Sequence, residues 1–152
     1  WPVPSNTARR ANGYTALAWK HVVVKAKTGV NLNKIADITD LTNAVEAAIL
    51  ALQAGKRQWS LSHIVRHYTD SGDHGGAIIT WLHEMGHQVQ FQAMRMEIPT
   101  PGLNESITTY SMQDTMEWHA EHFAAWALNR AMLETHYPAI VAYFDELMGE
   151  LL

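Results

Sequence analysis

Apolar residues recur at helical spacing over much of the chain and at extended spacing in one shorter segment. Residues 41–54 carry them at helical steps, with Asp40 placed to cap the start and Gly55 just past the end, which predicts a helix. Residues 58–68 alternate in part between apolar and polar positions and are predicted to form a strand. The turn-forming residues at 69–76 predict a loop after it.

The longest apolar periodicity predicts a central helix over residues 77–96, and the prolines and glycine at 99–102 bring it to an end. A third helix is predicted over residues 112–133, and Pro138 suits the first turn of a final helix. Residues 1–13 are rich in turn formers and are predicted to be an irregular lead-in. Together these elements predict a helix-dominated α+β fold with a small sheet.

The composition is that of one folded domain, because the 152 residues are 47% hydrophobic and 17% charged. The net charge of −4 provides no basic surface, so nucleic acid is not an expected partner. No apolar run approaches the roughly 20 residues of a membrane span. The chain has no cysteine, which excludes disulfides and thiolate metal sites. Its nine histidines and its carboxylates are the strong transition-metal ligands that remain.

A His-Glu-x-x-His motif at residues 83–87 lies within the predicted central helix. His83 and His87 are one helical turn apart on the same face, so both imidazoles can reach one metal ion. Glu84 points about 100° further around the helix axis, where it can reach a water molecule beside that ion. The arrangement predicts one catalytic zinc ion and metal-assisted hydrolysis. The alternative is an amphipathic helix that carries two surface histidines.

Catalytic zinc takes three protein ligands and keeps one position open, so a third ligand is expected downstream of the motif. No third histidine follows at the short spacing of metzincins. Glu117 and Glu121 instead lie one turn apart on the next predicted helix, and Tyr110 precedes Glu117 by seven residues. A glutamate on a second helix that faces the first is the arrangement of gluzincin peptidases.

The segment TTYSMQDTMEWHAEHF, residues 108–123, resembles the signature that follows the same motif in the anthrax lethal factor protease domain and the clostridial Pro-Pro endopeptidases. In that group a tyrosine precedes the ligand glutamate by seven residues, and an Ala-Glu-x-Phe run follows, as at residues 120–123 here. The resemblance covers residues 83–87 and 110–123 and does not reach residues 1–57.

The resemblance implies a zincin-like fold, in which a sheet edge precedes the motif helix and a second helix carries the ligand glutamate. It implies that Glu117 is the third zinc ligand, that Glu84 is the general base, and that Tyr110 stabilises the oxyanion or donates a proton. Glu121 is the candidate for the carboxylate that orients a ligand histidine, because a metal-bound histidine usually donates its other N–H to a carboxylate.

In zincins the strand before the active helix is typically an edge that pairs with the extended substrate. The predicted strand 58–68 is therefore a candidate substrate-binding edge, and its candidate residues are Trp59, Leu61, His63 and His67. In a helix, by contrast, His63 and His67 would lie one turn apart and would suggest a second metal pair.

These observations predict a zinc-dependent endopeptidase with a protein or peptide substrate. Because the chain begins at Trp1 rather than Met, we expect a piece of a longer protein with further domains. A secreted or injected toxin or effector, or a phage virion-associated protein, is expected rather than a housekeeping cytoplasmic enzyme. One alternative is a catalytically inactive zincin-like module with a binding or structural role. Another is a di-iron helical protein, since Glu84 and His87 form an E-x-x-H pair, but Ala120 after Glu117 breaks the second pair that such a site needs.

Overall fold

The computed structural model describes residues 12–15, 22–24, 37–97 and 104–152. Within these residues the chain forms six α-helices and one two-stranded antiparallel sheet, so the prediction of a helix-dominated α+β fold with a small sheet is confirmed. The elements are β1 (Gly13–Tyr14), β2 (Val23–Val24), α1 (Ile38–Gln53), α2 (Leu61–Tyr68), α3 (Gly72–Gln92), a 3₁₀ turn (Tyr110–Met112), α4 (Thr115–Leu128), α5 (Arg130–His136) and α6 (Pro138–Leu151). No helix in the described ranges is long and apolar enough to cross a membrane.

The sheet lies against α3, the helix that carries the His-Glu-x-x-His motif. In its register Gly13 is opposite Val24. A Cβ atom on Gly13 would lie 2.7 Å from Thr80 Cγ2 and 3.1 Å from Glu84 Cγ, so only glycine allows the strand to approach this closely. Most of the predicted lead-in, residues 1–11, lies outside the described residues.

Helix α1 has the buried face that its apolar spacing predicts, but it begins earlier than expected. Its N-cap is Asp37, which accepts a hydrogen bond from Thr39 N at 2.9 Å, rather than Asp40. Asp40 instead accepts from Ser71 Oγ at 2.5 Å, which joins the start of α1 to the start of α3. Gly55 follows the last turn with φ +79°, the left-handed conformation that is typical of a glycine at a helix C-terminus.

The predicted strand over residues 58–68 is wrong, because Leu61–Tyr68 forms helix α2. Ser60 caps it by accepting a hydrogen bond from His63 N at 3.1 Å. The buried residues Leu61, Ile64 and Val65 stand at helical spacing, and that spacing outweighs the partial alternation on which the strand prediction was based. No sheet edge therefore directly precedes the motif helix in this part of the chain.

Helix α3 begins at Gly72, five residues before the predicted start at 77, so most of the predicted loop is helical. Gly75 and Gly76 lie inside this helix, where they allow close packing rather than a turn. A Cβ atom on Gly75 would lie 2.7 Å from Val65 Cγ1, and one on Gly76 would collide with the side chain of Arg66. Helix α3 ends at Gln92, four residues before the predicted end.

The predicted third helix, residues 112–133, is two helices in the structure. Asp114 caps α4 by accepting from Glu117 N at 2.8 Å, and the backbone leaves the helical conformation at Asn129. Asn129 then caps α5 by accepting from Met132 N at 3.2 Å. The final helix begins at Pro138, as predicted.

Helices α3 and α4 cross in close contact at Gly86, within the motif. A Cβ atom there would lie 2.7 Å from Ala120 Cα, so the small residue at each helix lets the two backbones meet. This crossing places the motif histidines of α3 opposite the glutamates of α4. The hydrophobic core draws on all six helices, from Val45 of α1 to Trp118 of α4 and Phe144 of α6, and these three side chains are fully buried.

Candidate metal centre and cavity

Three side chains from two helices converge at the crossing of α3 and α4. Glu117 Oε2 lies 3.2 Å from His83 Nε2, and Glu117 Oε1 lies 2.9 Å from His87 Nε2. Each of the three side chains is at most 14% exposed. Glu84 is also near, because His83, Glu84 and His87 each offer one ligand atom within 4.8 Å of the others.

These residues could hold a metal ion. His83 Nε2 faces Glu117 Oε2 and His87 Nε2 faces Glu117 Oε1, so the carboxylate reaches both imidazoles through its two different oxygens. Glu84 offers one ligand atom within 4.8 Å of those of both histidines, so either carboxylate could complete the set. The donor set of two imidazoles and one carboxylate is that of catalytic rather than structural zinc sites.

Glu121 contacts His83 on the ring nitrogen that faces away from Glu117. His83 Nδ1 donates a hydrogen bond to Glu121 Oε2 at 2.8 Å, which leaves Nε2 turned toward Glu117. The other carboxylate oxygen of Glu121 accepts from Leu61 N and from Thr108 Oγ1, both at 3.1 Å. Glu121 is 1% exposed, and these three donors compensate its burial. By contrast, His87 Nδ1 has no hydrogen-bond partner within the described ranges.

The buried charges shift the pKa values of this group strongly. Burial alone would lower the pKa of His83, but hydrogen bonds to Glu117 and Glu121 outweigh it and raise the pKa to about 10. Burial would raise the pKa of Glu117, but its hydrogen bonds to His83 and His87 hold it well below its usual range. Protons shared between the imidazoles and Glu117 occupy the positions at which a cation would bind, so metal binding must displace them.

Glu84 is 5% exposed and lies on the cavity side of α3, between the motif histidines and Gly13. Burial raises the pKa of its carboxyl group above the usual range. A carboxyl group with a raised pKa close to a candidate metal site suits proton transfer near neutral pH.

Tyr110 lies in a short stack of rings. Its ring is 5.2 Å from that of His83 and 5.6 Å from that of Trp59, and both pairs are nearly parallel. Its hydroxyl group is hydrogen-bonded to Glu117, and burial together with that carboxylate raises the pKa of the phenol. The stack therefore holds a protonated hydroxyl group beside the three convergent ligands.

The segment before Tyr110 is held on α4 by buried polar groups that the sequence did not single out. Ile107 N donates to His122 Nε2 at 3.1 Å, and Trp118 Nε1 donates to the Glu105 carbonyl oxygen at 2.6 Å. Burial lowers the pKa of His122 to about 4, so the ring is neutral and can accept this hydrogen bond. In the sequence, His122 directly follows Glu121 on the same predicted helix. That neighbour was the one signal that connected it with the site.

A cavity of about 490 Å³ opens over the site. Glu84 and Tyr110 line it, and so do three of the four residues predicted to bind substrate, Trp59, His63 and His67. The prediction for Leu61 is wrong, because its side chain is fully buried in the core beneath α2. The other three reach the cavity from helix α2 and from the residue just before its N-cap, rather than from a strand.

Comparison with known proteins finds no match: no family model, no curated protein and no solved structure is significantly similar to this chain.

Proposed function

We propose that this protein is a zinc-dependent endopeptidase of the gluzincin kind, similar to the lethal factor and Pro-Pro endopeptidase group. The observation that carries the proposal is the convergence of His83 Nε2, His87 Nε2 and the Glu117 carboxylate beside Glu84. Of these residues, His83 and Glu84 line the cavity. Such a cluster of buried ligands and perturbed carboxylates in a cleft is typical of an active site.

His83, His87 and Glu117 would hold the metal. A zinc ion held there would supply Lewis-acid chemistry, by which a bound water is acidified and a substrate carbonyl is polarised. Glu121 keeps His83 in the tautomer whose Nε2 lone pair faces the ligand position, since its carboxylate accepts the Nδ1 proton.

Glu84 is the general base in this proposal, because its buried carboxylate lies beside the ligands without being required as one of them. It takes the proton of the attacking water and later passes it to the leaving amine. Tyr110 keeps its proton, since burial and Glu117 raise the pKa of the phenol, so it can donate a hydrogen bond to the oxyanion that develops on the carbonyl. The stacked rings of Trp59 and His83 hold it in that place.

The substrate in this proposal is a protein or peptide. The cavity volume of about 490 Å³ accommodates a few side chains of an extended segment. Trp59 is 46% exposed beside Tyr110 and offers an apolar surface to the bound segment.

The test is cleavage of a diverse peptide library by the wild type and by Glu84→Gln, with zinc content measured for both. Glu84→Gln keeps the size of the side chain and removes the base, so we expect bound zinc and a rate lower by about 10²- to 10⁴-fold. Glu146→Gln, an exposed change of the same kind on α6, should cut like the wild type.

Equal cleavage by the wild type and Glu84→Gln would refute the assigned base. Bound zinc without cleavage by any variant would favour an inactive zincin-like module. Bound iron with its visible absorption bands, and no zinc, would favour the di-iron alternative.

A further inference from the structure

The helical conformation of residues 61–68 brings His63 and His67 together on one face of α2. Their ring centroids are 4.3 Å apart, against 4.9 Å for His83 and His87. The one-turn spacing that lets two imidazoles chelate one metal ion is therefore present twice in the chain. The second pair lines the same cavity as Glu84.

Both rings of this second pair are available as ligands. Within the described ranges neither His63 nor His67 uses a ring nitrogen in a hydrogen bond; their ring contacts are with each other and with Tyr68. His67 is exposed and His63 is half-buried, so an ion can reach them from solvent. Burial, together with the neighbouring His67 and Arg66, lowers the pKa of His63 and favours the neutral form that binds metals.

The nearest positive charge is already engaged elsewhere. Arg66 donates from Nη2 to Thr80 Oγ1 at 3.1 Å, and its Nε lies 3.5 Å from the Asp73 carboxylate. Glu84 also lines the cavity and contributes a carboxyl group. The positive charge of Arg66 is therefore partly balanced by Asp73, which reduces its repulsion of a cation bound by the pair.

We propose that His63 and His67 form a second binding site for a divalent transition-metal ion, on the solvent side of the cavity. A bound ion there occupies the space through which a substrate reaches Glu84, so excess metal inhibits the enzyme. The inhibition rests on the proposed peptidase function, whereas the binding itself does not. With imidazoles as its only protein ligands, the site binds Cu²⁺ more tightly than Zn²⁺ and binds both more weakly than the first site.

The experiment is equilibrium dialysis of the protein against increasing Zn²⁺, with bound metal measured by elemental analysis. The wild type should bind one tight and one weak equivalent. The double variant His63→Ala/His67→Ala should lose the weak equivalent and keep the tight one, while His74→Ala, a histidine outside this cavity, should keep both. A single His67→Ala change at the exposed ring should weaken the second equivalent by at least about tenfold. Far-ultraviolet circular dichroism verifies the fold of each variant.

Two results would overturn the proposal: a wild type that saturates at one equivalent, or a double variant that retains the second. Where peptide cleavage is observed, the double variant should also resist inhibition by excess Zn²⁺. A protein that cuts nothing but loses the weak equivalent on double substitution would refute the peptidase and leave this site standing. Cleavage that depends on Glu84, in a protein that binds no second equivalent, would support the peptidase and refute this site.

Discussion

His83 and His87 on α3 and His63 and His67 on α2 have the same one-turn spacing, and their rings lie 4.9 and 4.3 Å apart. The first pair is buried and faces Glu117 across the helix crossing, with Glu121 behind His83. The second pair is open to solvent and has no carboxylate on either ring in the described part of the chain.

The difference shows that helical spacing brings two imidazoles together, and that the neighbouring carboxylates set the two pairs apart. At the first pair Glu121 accepts from His83 Nδ1 and Glu117 reaches both imidazoles, and these contacts require a second helix in close contact. That contact depends on Gly86, where no Cβ atom fits. At the second pair only the spacing is present, so a weaker and more exposed site is what the same chemistry allows.

The largest effect is expected from removing the charge behind the first pair. In Glu121→Gln the amide can donate to His83 Nδ1, which would move the ring proton to Nε2 and take its lone pair from the metal. We expect the tight zinc equivalent to weaken about 10- to 100-fold, measured by competition with a chelating dye. The first pair would then resemble the second.

Glu146→Gln serves as the control for a general loss of charge, since that residue is exposed on α6. The second, weak equivalent should change little in Glu121→Gln, because within the described ranges Glu121 makes no hydrogen bond to His63 or His67 and meets α2 only at Leu61 N. Unaltered tight binding would mean that Glu121 is a structural carboxylate for Leu61 and Thr108 only.

Much of this contrast could be predicted from the sequence, and the reasons are local. Fixed steps along one helix put His83 beside His87 and Glu117 beside Glu121, so their shared faces follow from helix geometry alone. The close approach of another backbone at Gly86 could be expected from the absence of a side chain, and the structure places Ala120 there.

The errors arose where two patterns compete over few residues. In the segment 58–68 a partial alternation obscured the helical spacing of Leu61, Ile64 and Val65. Ser60 caps the helix that these residues form. The glycines at 75 and 76 indicated a turn, yet they accommodate the side chains of α2. Contacts such as that of His122 with Ile107 N join distant segments and leave no local pattern.

A side chain at Gly86 should force apart α3, which carries the first pair, and α4, which carries Glu117 and Glu121. Gly86→Ala would put a methyl group 2.7 Å from Ala120 Cα and 2.9 Å from Phe123 Cβ, so α3 and α4 must move apart. We expect a free energy of unfolding lower by about 1–3 kcal/mol, together with weaker tight zinc binding and an unchanged second equivalent. Urea unfolding with dialysis measures all three.

Gly149→Ala on α6 is the matched control, because a Cβ atom there meets nothing within 4 Å. Helix propensity should make that variant more stable by about 0.5–1 kcal/mol. Equal stability changes in the two variants would show that the crossing at Gly86 is not tightly packed.

The smallest effect concerns the segment that leads into Tyr110, whose ring stacks on His83 of the first pair. His122 is buried and accepts from Ile107 N, and burial lowers its pKa from 6.5 to about 4. Between those values the unfolded chain binds more protons than the folded one, so His122 makes stability fall as the pH falls from about 6.5 toward 4. Between pH 6 and pH 5 it should remove about 1 kcal/mol from the free energy of unfolding.

His122→Gln keeps an acceptor for Ile107 N and removes the titrating group, so the contribution of His122 between pH 6 and pH 5, about 1 kcal/mol, should be absent from its urea unfolding curves. Burial lowers the pKa of His119 to about 3, so the similar contribution of His119 over that interval should remain. His136→Gln, at an exposed histidine, should retain the wild-type pH dependence. If His122→Gln and the wild type lose the same stability over that interval, His122 is not the neutral acceptor that holds the segment before Tyr110. The buried and the open histidine pairs would then differ by their carboxylates alone.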